Sequence, residues 1–137
     1  MSGTPTPGVS LSLTAIRVTD LARSAKFYTA GCGFSEERSF TTDTFDAVIL
    51  RAGTAGVELI APHGAPAAPD HGTMLVKLVL NTEDVAGLLD TACAHGGTGE
   101  MPATTLARFG GRTIGKVRDP DGYLIEVVSS TAQPNDR

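Results

Sequence analysis

The sequence predicts an α+β fold of two tandem β-α-β-β-β modules, and three observations predict it. Two helical patterns end in glycines and open on aspartates 64 residues apart, at Asp20 and Asp84. Each follows a strand-like apolar run and precedes further runs of the same kind. Between the halves lies an Ala/Pro/Gly-rich stretch that cannot hold a ladder of hydrogen bonds.

The first strand-like run covers Leu11 to Val18. Asp20 is an N-cap candidate for a helix of about three turns with Leu21, Ala25, Tyr28 and Cys32 on one face, stopped by Gly31 and Gly33. A weak strand near Glu36 to Thr41 and stronger ones at Phe45 to Arg51 and Gly56 to Ala61 complete the half. The linker is Pro62 to Gly72. The second half repeats the order. A strand over Leu75 to Asn81 leads to a helix from Asp84, carrying Val85, Leu88, Leu89, Ala92 and Cys93 and closed by Gly96-Gly97. Strands follow near Gly99 to Thr105, at Arg112 to Arg118 and at Tyr123 to Val128. Asp119-Pro120-Asp121-Gly122 has the chemistry of a type I turn with a glycine bulge and predicts a hairpin.

The 137 residues suffice for one domain, here residues 10–130 with modules of about 10–61 and 74–130, a linker at 62–73 and flexible tails at 1–9 and 131–137. A net charge of −4 without a Lys/Arg cluster argues against nucleic acid and anionic lipid as partners. No apolar stretch is long enough to span a bilayer, and Met1 to Gly8 does not read as a signal peptide, so a cytoplasmic protein is expected. Cys32 and Cys93 lack metal-type spacing and read as small buried apolar residues.

A single glutamate interrupts an apolar strand at the matching place in each half: Glu58 within Gly56 to Ile60, and Glu126 within Tyr123 to Val128. An ionised carboxylate among aliphatic residues is costly unless it is paired, wet or functional. His63 and His71 fall in the linker and His95 at a helix C-terminus, where all three read as surface residues.

With paired modules, the first-strand end Ile16 to Leu21, the helix Arg23 to Tyr28 and the hairpin Asp119 to Glu126, the chain resembles the vicinal oxygen chelate superfamily. This is the glyoxalase, bleomycin-resistance and extradiol-dioxygenase group. The resemblance implies a curved mixed sheet around a cup, helices outside, and a divalent metal held by the first and last strands of each half. Carried over by register, those positions are Leu13, Glu58, Lys77 and Glu126. Leu13 offers no donor, and a lysine amine is protonated at neutral pH. The expectation is therefore no metal and no cofactor.

Three function classes follow. The first is a metal-independent isomerase or lyase working by acid/base chemistry on a small carbonyl-bearing metabolite. Its catalytic candidates are Glu58, Glu126 and Lys77, and its ligand-binding candidates Leu11, Leu13, Ala15, Val79, Arg17 and Arg112. The second is an antibiotic- or natural-product-binding resistance protein without catalysis, to which net acidity would bring a cationic drug. The third is a metal-dependent glyoxalase-like lyase or dioxygenase, disfavoured by Leu13 and Lys77. A homodimer is expected, because open sheet edges need cover.

Overall fold

A computed structural model describes residues 8–64 and 67–129. The predicted tails therefore lie outside the described residues except for 8 and 9. Eight strands form two four-stranded sheets. The first contains β1 (Leu13–Arg17), β2 (Ser35–Thr41), β3 (Phe45–Ala52) and β4 (Ala55–Pro62) in the order β1-β4-β3-β2. The second contains β5 (Leu78–Asn81), β6 (Thr98–Leu106), β7 (Arg112–Arg118) and β8 (Leu124–Val128) in the order β5-β8-β7-β6. In each sheet the first strand pairs in parallel with the last and the other pairs are antiparallel. The duplication read from the sequence is thus a duplication of topology. The expected mixed sheet is two sheets, each with its first strand at an edge.

Helix α1 (Leu21–Lys26) starts where the Asp20 carboxylate accepts from the Arg23 amide at 3.0 Å. Helix α2 (Val85–Ala94) starts on the same device, Asp84 accepting from the Gly87 amide at 2.9 Å. Each cap satisfies an amide that has no partner within its helix. The first helix is shorter than expected in its α form, because Phe27–Gly31 continue it as a π-helical turn. That turn delivers Phe27 and Tyr28, both fully buried, to the centre of the molecule.

One core serves both halves. Ile16, Leu50 and Leu59 from the first sheet join Phe27, Tyr28, Leu89 and Ala92 from the helical layer and Val117, Ile125 and Val127 from the second sheet. Each sheet therefore turns one face to this core, and the pleat sends the alternate residues to the other face. At the seam, Gly31 leaves space for Ala92, and the Thr91 hydroxyl donates to the Gly31 carbonyl at 2.7 Å.

Three sequence expectations change. Leu11 lies before β1 and is 76% exposed. The strand expected from Leu75 begins only at Leu78, because the residues before it find no ladder partner. Cys93 is exposed and Cys32 half-buried, its thiol pushed up to about 12 by burial and then by the nearby Asp119. The hairpin is as predicted: Asp119 and Tyr123 bond across it, and Gly122, at φ 96°, takes the left-handed position that glycine tolerates best.

Candidate active site

Ile125 and Val127 point into the core, so Glu126 stands between them on the opposite face of β8. Its register neighbours are Val79 on β5 and Lys116 on β7. Lys77, just ahead of β5, brings its Nζ to 2.8 Å from Glu126 Oε1. The Glu126 side chain is 15% exposed and that of Lys77 36%, so the pair is only partly desolvated. The ammonium supplies the compensation that a half-buried carboxylate needs.

Glu58 occupies the equivalent place on β4, with Val57 and Leu59 turned into the core. Its register neighbours are Ala15 and Ile49. Leu13 pairs with Gly56 on the same edge. Among the described residues Glu58 makes no ion pair. Lys77 thus joins one of its two expected carboxylates, and Leu13 and Ala15 share the face of the other.

Leu11, Lys77 and Val79 meet around a cavity of about 270 Å³ that also contacts Phe34, Gly56 and Leu80. Arg17 follows Ala15 along β1, but its guanidinium donates to the carbonyls of Ala67 and Ala68 at 2.8 and 3.5 Å. The linker occupies it. Arg112, at the start of β7, is exposed and shares the alternation of Lys116.

Sequence reading overlooked two features. Lys116 is opposite Glu126 because the Asp119–Gly122 turn fixes the register, Arg118 against Leu124 and Lys116 against Glu126. That pairing could have been counted outward from the turn. The second is a ring pair, Phe40 and Phe45, with centroids 6.2 Å apart and the Arg38 guanidinium 5.2 Å from the Phe40 centroid. Their register partners Ala47 and Pro62 place them on the Glu58 face. This neighbourhood depends on long-range pairing of a weak strand.

Behind the site, the hairpin turn is bolted to the first half. Asp119 is 3% exposed, accepts from the Tyr28 hydroxyl at 2.7 Å and from the Asp121 and Tyr123 amides at 2.9 Å each. Burial raises its carboxyl above the usual range, while these bonds pull the other way. Burial, then the facing carboxylate, pushes the Tyr28 phenol well up. Asp121 accepts from the Thr19 hydroxyl at 2.6 Å, and the Tyr123 hydroxyl donates to the Arg17 carbonyl at 2.8 Å. The histidines take structural partners: His71 bonds the Asp121 carbonyl at 2.8 Å, His95 the Thr91 carbonyl at 2.8 Å, and His63 the Asp46 carboxylate at 2.9 Å. That last bond raises the His63 imidazole and lowers the Asp46 carboxyl.

The donor set does not fit the divalent metal that the resemblance implies. Leu13 is a hydrocarbon, and the Lys77 nitrogen is committed to Glu126 at 2.8 Å. Among the described residues no three His, Cys, Asp or Glu side chains converge to hold an ion. Two carboxylates fall short of the usual three protein ligands of a catalytic site.

Comparison with known proteins agrees with the topology. The chain is 31% identical over 124 residues to a probable lactoylglutathione lyase of Vibrio parahaemolyticus, a match covering 85% of this chain and 88% of that protein. It is 30% identical over 124 residues to lactoylglutathione lyase GLX1 of Arabidopsis thaliana, covering 86% of this chain but only 43% of that one. The crystal structure of glyoxalase I from Zea mays superposes with a TM-score of 0.79 at 25% identity, over 90% of this chain and 46% of the maize chain. The chain thus spans less than half the length of these two plant proteins. The profile of the Glyoxalase/Bleomycin resistance protein/Dioxygenase superfamily matches residues 10–127, and the chain belongs to that superfamily.

Proposed function

We propose that this chain is a lyase or isomerase that moves a proton beside the carbonyl of a small metabolite without a transition metal. The observation that carries the reading is the 2.8 Å pair of Lys77 and Glu126, at two positions where the resemblance expects metal ligands. The Glu126 carboxylate takes the proton from the carbon next to the carbonyl, and the electron pair moves onto the carbonyl oxygen. Lys77 donates a hydrogen bond to the oxyanion as it forms. Returning the proton to a neighbouring carbon isomerises the compound; expelling a leaving group makes the step a lyase reaction. The lactoylglutathione lyases among the relatives support the lyase class.

Glu58 joins as the second acid/base group through a second copy of the chain. β1 and β5 are both edge strands, and the apolar residues around them are open to solvent: Leu11 at 76%, Met74 at 96%, Val76 at 71% and Val79 at 51% exposure. Such a stripe is costly in water and suits a homodimer in which one copy's Glu58 faces its partner's Lys77–Glu126 pair.

A second reading, ligand sequestration, draws support from the Phe40–Phe45 rings, a stacking surface on the Glu58 face. Solvent deuterium exchange discriminates the two. Lactoylglutathione and a panel of small carbonyl compounds are incubated with chelator-treated protein in D₂O. Exchange or turnover that Glu126→Gln abolishes supports the enzyme; tight binding with neither supports sequestration.

A further inference from the structure

Seven of the eleven Lys and Arg residues of this acidic chain lie on the sheet faces that carry the two glutamates. On the first sheet these are Arg17, Arg38 and Arg51, in register with Ile60, Ile49 and Gly56. On the second, Arg112, Lys116 and Arg118 share one face of β7, and Lys77 reaches in from just ahead of β5. Among the described residues four carboxylates oppose them. Glu37 and Glu100, at irregularities in the edge strands, bind Arg51 at 2.6 Å and Arg118 at 3.3 Å; the others are Glu58 and Glu126. Positive charge exceeds negative on these faces although the chain carries −4.

The excess concentrates around Glu126. The first half surrounds Glu58 with Leu13, Ala15 and Ile49, while the second has Lys77, Val79 and Lys116 in the equivalent places. Two lysines thus replace two aliphatic residues beside one glutamate. Lys77 and Arg118 also line a cavity of about 230 Å³ with His71, Tyr123 and Leu124, under the segment leading into β5. Arg118 is occupied there by Glu100 and by the Gly122 carbonyl at 3.1 Å. Lys116 makes no ion pair among the described residues, though together with Arg118 it helps hold the Glu100 carboxyl below its usual range.

We propose that Lys116 and Lys77 form an oxyanion seat beside Glu126, so that the ligand carries a carboxylate or phosphate next to its carbonyl. This rests on the proposed carbonyl chemistry and names its substrate class. One glutamate cannot neutralise two ammonium groups, and the incoming anion completes the charge balance in a partly dry site. The seat disfavours a cationic drug. Lys116 is a specificity-determining residue, and Glu126 competes with the ligand for Lys77.

The test is an NMR titration of the full chain with 2-oxobutanoate, its uncharged amide and inorganic phosphate. The oxo acid should shift the resonances of Lys77, Val79, Lys116 and Glu126, and the amide should not. Losing one charge-assisted contact weakens binding about tenfold, expected for Lys116→Met, whereas Lys116→Arg restores it. Glu126→Gln should tighten it. Phosphate that competes with the oxo acid marks a general oxyanion seat; phosphate that fails to compete assigns it to carboxylates. Equal binding of the amide, unchanged affinity in a folded Lys116→Met protein, or no anion binding overturns the seat. Binding is read apart from turnover, so an intact seat in a protein whose glutamine variants keep full activity sinks the acid/base reading alone.

Discussion

The Tyr28 hydroxyl donates a 2.7 Å hydrogen bond to the buried Asp119 carboxylate, 91 residues away and in the other half of the duplication. Asp119 also fixes the turn before β8 through two backbone amides, so the register of Glu126 and the packing of the first helical segment share one carboxylate.

Tyr28→Phe leaves one buried carboxylate oxygen without its donor, a loss of about 1–3 kcal/mol in urea unfolding at neutral pH. The sign with pH follows from the raised Asp119 carboxyl. The bond favours the ionised form, so the variant's carboxyl rises further and its deficit shrinks as pH falls and Asp119 protonates. A deficit independent of pH would assign the tyrosine's contribution to packing alone.

Lys77→Met removes the cation from a half-exposed pair. Solvent screens it, so the cost is about 1 kcal/mol rather than the roughly 3–5 kcal/mol of a fully buried pair, and it shrinks in high salt. Unfolding curves at low and high ionic strength check this. Turnover on any identified substrate should fall much more than stability.

Gly97→Ala places a Cβ 2.8 Å from Phe27 Cε1, 2.9 Å from the Ala92 carbonyl oxygen and 2.9 Å from Val117 Cγ2. Two of these neighbours belong to the core and the third is backbone, so none can swing away. Thermal unfolding should show a loss of about 1–3 kcal/mol, the usual cost of overpacking. A wild-type melting temperature would mean that the seam between the halves is loosely packed.

Purified protein should contain far less than one equivalent of transition metal by elemental analysis, and a strong chelator should leave its melting temperature unchanged. The motive is the donor set of Leu13, Lys77 and two glutamates. One equivalent of zinc, nickel, manganese or iron would refute the metal-independent reading.

Light scattering at micromolar concentration should give twice the 14.1 kDa chain mass. Val79→Lys, placing a charge on the exposed β5 edge, should shift the protein toward monomer. Monomeric wild-type protein would leave Glu58 to work without a partner's lysine.

The sequence by itself determined what repeats locally: the two aspartate caps, the glycine stops, the turn at Asp119 to Gly122 and the isolated glutamates on apolar strands. These depend on short-range periodicity and backbone preference, and the equal spacing of the halves doubled each signal. Only the tertiary structure decided which side chains meet. It brought Lys77 to Glu126 and left Glu58 without an ion pair among the described residues, because the reach of a side chain outside a strand is not set by that strand's alternation. It tied Arg17 to the linker and exposed Leu11 and Cys93, since burial depends on what packs against a segment. It also set Arg118 at a cavity shared with Lys77 and put Lys116 in register with Glu126, a grouping of charges scattered along the chain that forms only when the strands pair.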